Sequence, residues 1–440
     1  MIFSVRAVLP DGWRHGRSHT IPGGAAWPAR NFAAHHLTSS RAAGQARFQT
    51  AAFGPPGEDG LHMEISVRKF DLLKELLLMQ GVVERKTTIP ILSNVLAEAT
   101  ADGQLLLAAT DLELGVETTC PVKVKTPGSS AIPARKLLDY VRLLPDAELS
   151  IKSLENHWVQ IRCGRANTRM VGMSRENFPA LPTFPTVGVV KLPAAPLAEM
   201  IRKTIFAISN EESRYTLNGA LMVLKPGSLT LVATDGHRLA HIMTDKVTLE
   251  GVSNEMKTLV PKKAMQELLA LIGDVPEEGS IEFAHDETHL FFRLPAPGGA
   301  TRLLTARQLT GQFPNFEAVL PKDNKRVVTV SSEQLAAAIK RVSQFADERS
   351  HAIRMRLEPN HLVLTSSSSE TGESDEEIDT TYNDEPMTIG FNSQYLSEFL
   401  DAAKTDEVLL EFRDENTAGQ LRIKDSEDYQ YRYIVMPMRI

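Results

Sequence analysis

The segment TDGHRL, residues 234–239, places a hydroxyl, a carboxylate and an imidazole within four positions, and such groups can perform acid–base catalysis. The segment TDLELG, residues 110–115, follows a similar apolar run and has the same Thr-Asp pair without a histidine. A pair that recurs without its histidine is better explained by hydrogen bonds within a turn at the end of a strand. The sequence therefore gives no support for catalysis at this segment.

The sequence also gives little support for a metal site or a nucleotide-binding site. Cys120 and Cys163 lie far apart with no Cys or His nearby at ligand spacing, which argues against a zinc site and a disulfide framework. The chain has neither a GxxxxGK[ST] loop nor a GxGxxG turn after a strand, the patterns that cradle nucleotide phosphates. We predict no metal ion, no cofactor and no ATP hydrolysis. The cysteine usage, with no apolar run that could span a bilayer and no secretory signal, predicts a cytoplasmic protein.

Residues 1–62 differ in composition from the rest of the chain. They carry scattered Arg, Ala, His, Gly and Pro, few acids and no helical or strand periodicity. A disordered tail and an upstream start codon chosen in error are the two simplest explanations, and an Arg-rich, acid-poor transit peptide is the functional alternative. Met63 opens the first periodic segment, so we interpret residues 1–62 as an extension of the folded chain.

From Met63 onward the chain repeats one order of elements three times, α-β-β-α-β-β with spare strands. The first helix of each unit has apolar residues at helical spacing, which predicts one buried stripe. The predicted stripes are Phe70, Leu73 and Leu77 in the first unit, Leu197, Met200, Ile201 and Ile205 in the second, and Leu335, Ile339 and Val342 in the third.

Turn residues and a second helix complete each unit. Hairpins are predicted over residues 101–111, 225–235 and 358–368, with turns at Asp102-Gly103, Pro226-Gly227 and Pro359-Asn360. Second helices are predicted over 132–144, 260–272 and 391–403, with Pro133 and Pro261 in their first turns, and alternating strands close each unit. A repeat of about 125 residues is long enough for a domain with its own core. Proline-rich linkers are predicted at 178–188 and 313–324, and a solvated acidic loop at 366–380.

The repeated segments resemble the bacterial sliding clamp family, the β subunits of the replicative DNA polymerase. The likeness spans nearly all of residues 63–440 and rests on the order and spacing of eight phrases: TTIPILSNVL (87–96), AATDLEL (108–114), IPARKL (132–137), RYTLNGAL (214–221), VATDGHRLA (232–240), VPKKA (260–264), QFPNFEAVLPK (312–322) and VMPMRI (435–440). The resemblance implies an α+β fold of three clamp domains, which we predict at 63–184, 185–320 and 321–440. It also implies a head-to-tail homodimer, a six-domain ring with helices lining the hole and sheets outside.

The function that the resemblance implies is that of a DNA sliding clamp and processivity factor, not an enzyme. A net charge of −7 would disfavour an ordinary DNA-binding protein, but a closed ring needs only a basic inner lining. Basic residues recur on the repeat helices: Lys69, Lys74, Arg135, Arg142, Arg202, Lys203, Lys262, Lys263, Lys340 and Arg341. The resemblance places five residues towards duplex DNA, with phosphate contacts that read no sequence: Lys86, Arg135, Arg214, Tyr215 and Lys263. Lys86 stands where family members often have Arg.

The resemblance also implies a groove between the second and third domains that binds short peptides with Gln and Leu or Phe anchors. Its residues would be Leu217, Thr234, Gly236, His237, Arg238, Leu239, Pro314, Val319, Tyr395, Ile434, Met436, Pro437, Met438 and Arg439. Methionine suits a groove that accepts several partners, because its unbranched side chain repacks easily. Ala318 stands where some relatives have Arg, which removes a polar contact. The implied partners are replicative and repair DNA polymerases and a clamp-loader ATPase that opens the ring.

Two other classes of protein remain open at this point. An enzyme acting on DNA would need clustered carboxylates for metal ions or a nucleophile–base pair, and the sequence offers neither. A structural repeat protein would have no DNA in its hole. A mass near twice that of the chain, together with retention on circular but not linear DNA, would distinguish a clamp from both.

Overall fold

The structure is a computed structural model that describes residues 62–84, 87–424 and 426–439. The extension predicted over residues 1–62 therefore lies outside the described residues, except for His62. The predicted order of helices and hairpins is present in all three repeats. The structure adds a strand before the first helix of each repeat, further strands between the two helices, and one at the end.

The bounds of the elements show how closely the repeats agree. The first repeat contains β1 (Glu64–Arg68), α1 (Lys69–Leu78), β2 (Asn94–Ala99), β3 (Gln104–Thr110), β4 (Leu114–Pro121), β5 (Lys123–Thr126), β6 (Gly128–Pro133), α2 (Ala134–Leu143), β7 (Glu148–Ser153), β8 (Trp158–Cys163) and β9 (Ala166–Val171). The second contains β10 (Val190–Pro193), α3 (Ala194–Arg202), β11 (Gly219–Lys225), β12 (Ser228–Thr234), β13 (Arg238–Thr244), β14 (Met256–Pro261), α4 (Lys262–Ile272), β15 (Ser280–His285), β16 (His289–Pro295) and β17 (Thr301–Arg307). The third contains β18 (Arg326–Ser331), α5 (Ser332–Val342), β19 (Ala352–Glu358), β20 (His361–Ser368), β21 (Gly372–Asp379), β22 (Met387–Asn392), α6 (Ser393–Ala403), β23 (Glu407–Phe412), β24 (Gly419–Ile423) and β25 (Gln430–Val435).

The hairpin turns form at the predicted residues. Gly103, Gly227 and Asn360 have φ angles of 84°, 78° and 66°, a left-handed conformation that Gly adopts without strain and Asn tolerates. Pro133 and Pro261, predicted in the first turns of the second helices, instead end the preceding strands and stand immediately before α2 and α4. Proline is tolerated there because its missing N–H is not needed by the helix.

The sheets, unlike the helices, cross from one repeat to the next. One eight-stranded sheet has the order β10-β15-β16-β17-β4-β3-β2-β6, and a second has the order β14-β11-β12-β13-β25-β24-β23-β18. The last strand of the second repeat, β17, pairs with β4 of the first, and β25 of the third pairs with β13 of the second. A five-stranded sheet, β5-β1-β7-β8-β9, and a four-stranded sheet, β21-β20-β19-β22, complete the described structure. Because neighbouring repeats share sheets, the domain limits given above stay predictions.

The buried helix faces confirm two of the three predicted stripes and correct the first. The stripe residues of α5 are all buried, as are those of α3, while Ile205 lies beyond the end of α3 in a short 3₁₀ turn. In α1 the prediction is wrong: Phe70 is 68% exposed and Leu77 is 42% exposed. The buried face of α1 instead contains Leu72, Leu76 and the carboxylate of Glu75. A charged residue inside the core hides the true stripe from a pattern based on apolar residues.

The acidic segment 366–380 was predicted as a solvated loop, and the structure confirms that most of its residues are exposed but not that it is a loop. Most of the segment is strand, because β20 ends at Ser368 and β21 pairs with it along its full length. Glu376 of β21 accepts two hydrogen bonds from Nε of Arg341, at 3.0 and 2.9 Å. Acidic residues are tolerated here because β21 is an edge strand, where charged side chains also oppose unwanted pairing.

The two proline-rich connections lie against the sheets. Residues 178–188 contain no helix or strand, and Phe178 and Phe184 of this segment are buried. The Phe184 ring meets the ring of Phe291 edge to face at 6.2 Å. The segment 313–324 contains only the 3₁₀ turn Phe316–Ala318. No helix among the described residues is long and apolar enough to cross a membrane.

Candidate functional site

The Thr-Asp turns have the hydrogen bonds expected at strand ends. Asp235 Oδ1 accepts from the backbone N–H groups two and three residues later, at 2.9 and 3.1 Å, and Asp111 Oδ1 does the same at 2.9 and 2.6 Å. Thr110 and Thr234 each donate to the carbonyl oxygen four residues later. Within the described ranges, no group of three or more His, Cys, Asp or Glu side chains could hold a metal ion. The interpretation of the Thr-Asp pair as turn chemistry is confirmed.

Several predicted groove residues meet in one apolar cluster on the second eight-stranded sheet. Leu239 and Ile434 lie directly opposite each other in β13 and β25, and both are buried. Thr234, at the end of β12, lies opposite Leu239 on the other side. Leu217 and Val319 pack against the same cluster from the segments that precede β11 and β18. Residues more than 200 positions apart thus form one wall.

The C-terminal tail runs beside this wall. Met436 N–H donates to the carbonyl oxygen of His237 at 2.9 Å, and Met438 N–H donates to the carbonyl oxygen of Gly390 at 2.8 Å. The tail therefore passes from the turn before β13 to β22 of the third repeat. Met436 is 41% exposed, while Pro437 and Met438 are half-buried. Backbone hydrogen bonds hold the tail in place and leave the Met436 side chain open to solvent.

The remaining predicted groove residues are exposed around the cluster, with two exceptions. Gly236, His237, Pro314 and Arg439 are exposed, as is Ala318, whose methyl group offers no polar contact. The exceptions are the residues Arg238 and Tyr395.

Arg238 is a buried link between the second and third repeats. Its side chain is only 8% exposed. Nε donates to Asp235 at 3.0 Å, Nη2 donates to the carbonyl oxygen of Phe206 at 2.7 Å, and Nη1 donates to Glu398 on α6 and to Tyr433 Oη at 3.4 Å. Burial by itself would lower the pKa of Arg238, but Tyr433 and Glu398 outweigh it and raise the pKa. Contact between Arg238 and a bound peptide stays a prediction.

Tyr395 connects Arg238 with the third repeat. The guanidinium carbon of Arg238 lies 4.3 Å from the centre of the Tyr395 ring, a cation–π contact. The carbonyl oxygen of Tyr395 accepts a hydrogen bond from Tyr433 Oη at 3.0 Å. Burial raises the pKa of Tyr395, so its hydroxyl stays protonated and can donate a hydrogen bond. Tyr395 is half-buried and lies on α6.

The residues predicted to face DNA have different surroundings. Arg135 and Lys263 are the second residues of α2 and α4, both are exposed, and Lys263 pairs with Asp111 of the first repeat. Tyr215 is 72% exposed. Arg214 Nη1 instead donates to the carbonyl oxygen of Asp235 at 2.7 Å, so this side chain lies against the turn before β13. The prediction for Lys86 falls outside the described residues.

Some of the recurring basic residues make hydrogen bonds or ion pairs at the C-terminal ends of neighbouring helices. Lys203 was predicted with the lining residues, but its side chain is 1% exposed and its Nζ donates to the carbonyl oxygens of Ala402 and Ala403 at 3.0 Å each. That prediction is wrong, because the lysine neutralises the carboxyl end of α6. Lys69 Nζ donates to backbone carbonyls at the end of α2, and Lys74 pairs at 3.1 Å with an aspartate that follows α4.

Sequence reasoning missed Glu398, Phe206 and Tyr433, which surround Arg238. A signal for Glu398 was present in the repeats, since it is the sixth residue of α6 and Glu267 is the sixth residue of α4. Glu267 is also packed at a boundary between repeats, because a side chain at Gly81 would collide with its carboxylate. Asp139 is likewise the sixth residue of α2, so this position of the second helix is acidic in all three repeats.

Three family models match the chain in sequence order. The model of the DNA polymerase III beta subunit N-terminal domain matches residues 63–182, that of the central domain matches 191–315, and that of the C-terminal domain matches 317–439. The three matches together cover most of the chain and follow the threefold repeat.

The similar proteins are described as sliding clamps. A beta sliding clamp from Caulobacter vibrioides is 32% identical over 384 residues, which cover 86% of this chain and 100% of the relative. A beta sliding clamp from Pseudomonas putida is 33% identical over 382 residues, with the same coverage. Among solved structures, a sliding clamp from Bartonella birtlesii, described as DNA polymerase III subunit beta bound to griselimycin, is similar with a TM-score of 0.80 at 31% identity, over 86% of this chain and 100% of that one.

Proposed function

The chain belongs to the DNA polymerase III beta subunit family, the bacterial β sliding clamps, and from this premise we propose how it closes a ring, faces DNA and binds its partners. It is a DNA sliding clamp of the replicative polymerase, a non-catalytic processivity factor. We propose that two copies join head to tail in the cytoplasm and that a separate clamp-loader ATPase opens the ring. The observation that carries ring closure is a pair of sheet edges.

These edges are β9 and β21. At both boundaries within the chain, the last strand of one repeat pairs with a strand of the repeat before it, as β17 with β4 and β25 with β13. In each case the second strand of the pair is the third strand after the first helix of its repeat. The corresponding strands that remain are β9 of the first repeat and β21 of the third, and each ends a sheet in the described structure. Two copies arranged head to tail would pair β9 of one with β21 of the other, which satisfies both edges.

The repeats also give a register for this pairing. Leu304 lies opposite Val116 at the first boundary, and Tyr433 lies opposite Ala240 at the second. When the repeats are aligned by their strand pairings, Thr168 of β9 is equivalent to Leu304 and Tyr433. In the same alignment, Ser374 of β21 is equivalent to Val116 and Ala240. We therefore place Thr168 opposite Ser374 of the partner subunit.

Charge supports the same pairing. The hairpin of β8 and β9 carries Arg162, Arg165 and Arg169, whereas β21 has the sequence GESDEEID. In the proposed register Arg169 lies opposite Glu373 of the partner subunit. Cations along one edge and acids along the other attract unlike edges and disfavour pairing of two β21 strands.

A cysteine pair tests this register. With Thr168→Cys and Ser374→Cys in one chain, we expect oxidation to give a covalent dimer on a non-reducing gel. Residues directly opposite in an antiparallel pair lie about 4.5–5.5 Å apart at Cα, within the range for a disulfide. The native Cys120 and Cys163 are both buried, so the unmodified chain supplies the background.

The matched control combines Thr168→Cys with Asp379→Cys. These positions would be five residues out of register, about 17 Å along the strand, and should not cross-link. Failure of the first pair to cross-link, or equal cross-linking by the control, would reject the proposed seam.

We propose that the first turns of α2 and α4 face the DNA. Arg135 and Lys263 occupy equivalent, exposed positions there, and Tyr215 is exposed in the second repeat. Cations placed in this way bind phosphates without reading bases, as sliding requires. Loaded by a relative's clamp loader, the protein should remain on circular duplex DNA through gel filtration and be lost when the circle is cut. Equal loss from intact circles would contradict enclosure.

We propose that the apolar cluster of Leu217, Leu239, Val319 and Ile434, with Tyr395 and the C-terminal tail, binds short peptides of polymerases and other partners. The exposed Met436 side chain beside this cluster offers a surface that can repack around different anchors. A fluorescent peptide with Gln, Leu and Phe anchors measures binding directly. Saturable binding at a ratio of one peptide per chain is the expected result.

A further inference from the structure

Arg238 has little capacity left for a ligand. A guanidinium has five N–H donors, and Arg238 makes four hydrogen bonds with them, to Asp235, Phe206, Tyr433 and Glu398. The Phe206 and Tyr395 rings lie 5.5 and 4.3 Å from the guanidinium carbon. The side chain is therefore enclosed by groups from two repeats.

Of these groups, Glu398 and Tyr395 belong to the same helix of the third repeat. They stand three positions apart on α6, and both contact Arg238. Arg238 itself begins β13, and the groove residue Leu239 follows it directly. One ion pair thus joins the two elements that carry opposite sides of the groove.

We propose that Glu398 is a positioning residue for the peptide groove, holding Tyr395 and the start of β13 at a fixed separation through Arg238. This inference rests on the proposed peptide binding and adds a residue that does not touch the peptide. Without Glu398, Arg238 keeps its bonds to Asp235 and Phe206 in its own repeat and loses its charged partner on α6. The groove is then no longer fixed in width, and a bound peptide must order it again, which lowers affinity.

Glu398 is suited to such a test because its side chain is 46% exposed, so its replacement should not disrupt a core. We expect Glu398→Ala to weaken binding of the Gln-Leu-Phe type peptide about tenfold. Glu398→Gln keeps an oxygen that accepts a hydrogen bond from Arg238 and should bind within about threefold of the original chain. Thermal unfolding and the mass of the dimer are measured in parallel, because a purely structural role would change these and not the affinity of the folded protein.

The matched control is Glu358→Ala, which removes another acid of the third repeat, one whose side chain is 40% exposed and pairs with Arg356 at 3.1 Å. It should leave peptide affinity unchanged. The positioning role is wrong if the original chain binds the peptide and Glu398→Ala binds it within twofold, or if Glu358→Ala weakens binding equally. If the original chain does not bind the peptide, the groove proposal itself fails and this inference falls with it.

Discussion

Replacement of Arg302 by methionine is expected to lower the free energy of unfolding by about 3–5 kcal/mol, because it leaves a buried carboxylate without its cation. Arg302 is fully buried in β17 and donates to both carboxylate oxygens of Glu75 on α1, at 3.1 and 2.7 Å. It also donates to Asp274 at 2.6 Å, and Thr118 donates to Glu75. Burial by itself would lower the pKa of Arg302, but the hydrogen bonds that it donates to Glu75 and Asp274 outweigh this effect and raise the pKa. Urea unfolding followed by circular dichroism measures the change.

Two further variants separate the buried charge from the loss of a side chain. Arg307→Met removes an exposed ion pair with Glu113, also between the second and first repeats, and should change stability by less than about 0.5 kcal/mol. Combining Arg302→Met with Glu75→Leu removes both buried partners and should recover most of the lost stability. A loss below about 1 kcal/mol for Arg302→Met alone would mean that the network contributes little.

Removal of residues 436–440 should weaken binding of the Gln-Leu-Phe type peptide at least thirtyfold, while the ring and its passive retention on circular DNA change little. Groove anchors often contribute about 2 kcal/mol or more each, which corresponds to roughly thirtyfold in affinity. The tail bonds to His237 and to Gly390 of β22, which is at the opposite edge of its sheet from β21, so dimer formation should persist. Fluorescence anisotropy measures the affinity, and stimulation of the polymerase should fall with it.

The control for this truncation keeps the tail's backbone. Met436→Ala with Met438→Ala retains the N–H groups that bond to His237 and Gly390 but removes both flexible side chains. If the side chains form the pocket, this variant should lose most of the affinity that the truncation loses. A truncated protein that binds the peptide at the original affinity would show that the groove lies on other residues.

The sequence by itself determined the elements that depend on local interactions. The turns at Gly103, Gly227 and Asn360 form because these residues adopt positive φ, and the second helices begin within two residues of their predicted starts. The threefold order of elements and the likeness to a sliding clamp followed from the same local patterns and their spacing. The Thr-Asp turns were interpreted correctly because their hydrogen bonds reach only two to four residues along the chain.

Only the tertiary structure decided which polar groups are buried and which strands meet. Glu75 lies in the core of α1 because Arg302, 227 residues away, supplies its countercharge, and no apolar pattern on the helix could reveal this. Lys203 was predicted as a lining cation and Arg238 as a groove residue without a sign of their burial, since their partners on or after α6 are distant in sequence. The edges β9 and β21 became visible only when each sheet was seen to cross between repeats. Local sequence patterns indicate backbone preference and burial of one face of an element. The free energy of a buried charge depends instead on a partner that only the folded chain brings near.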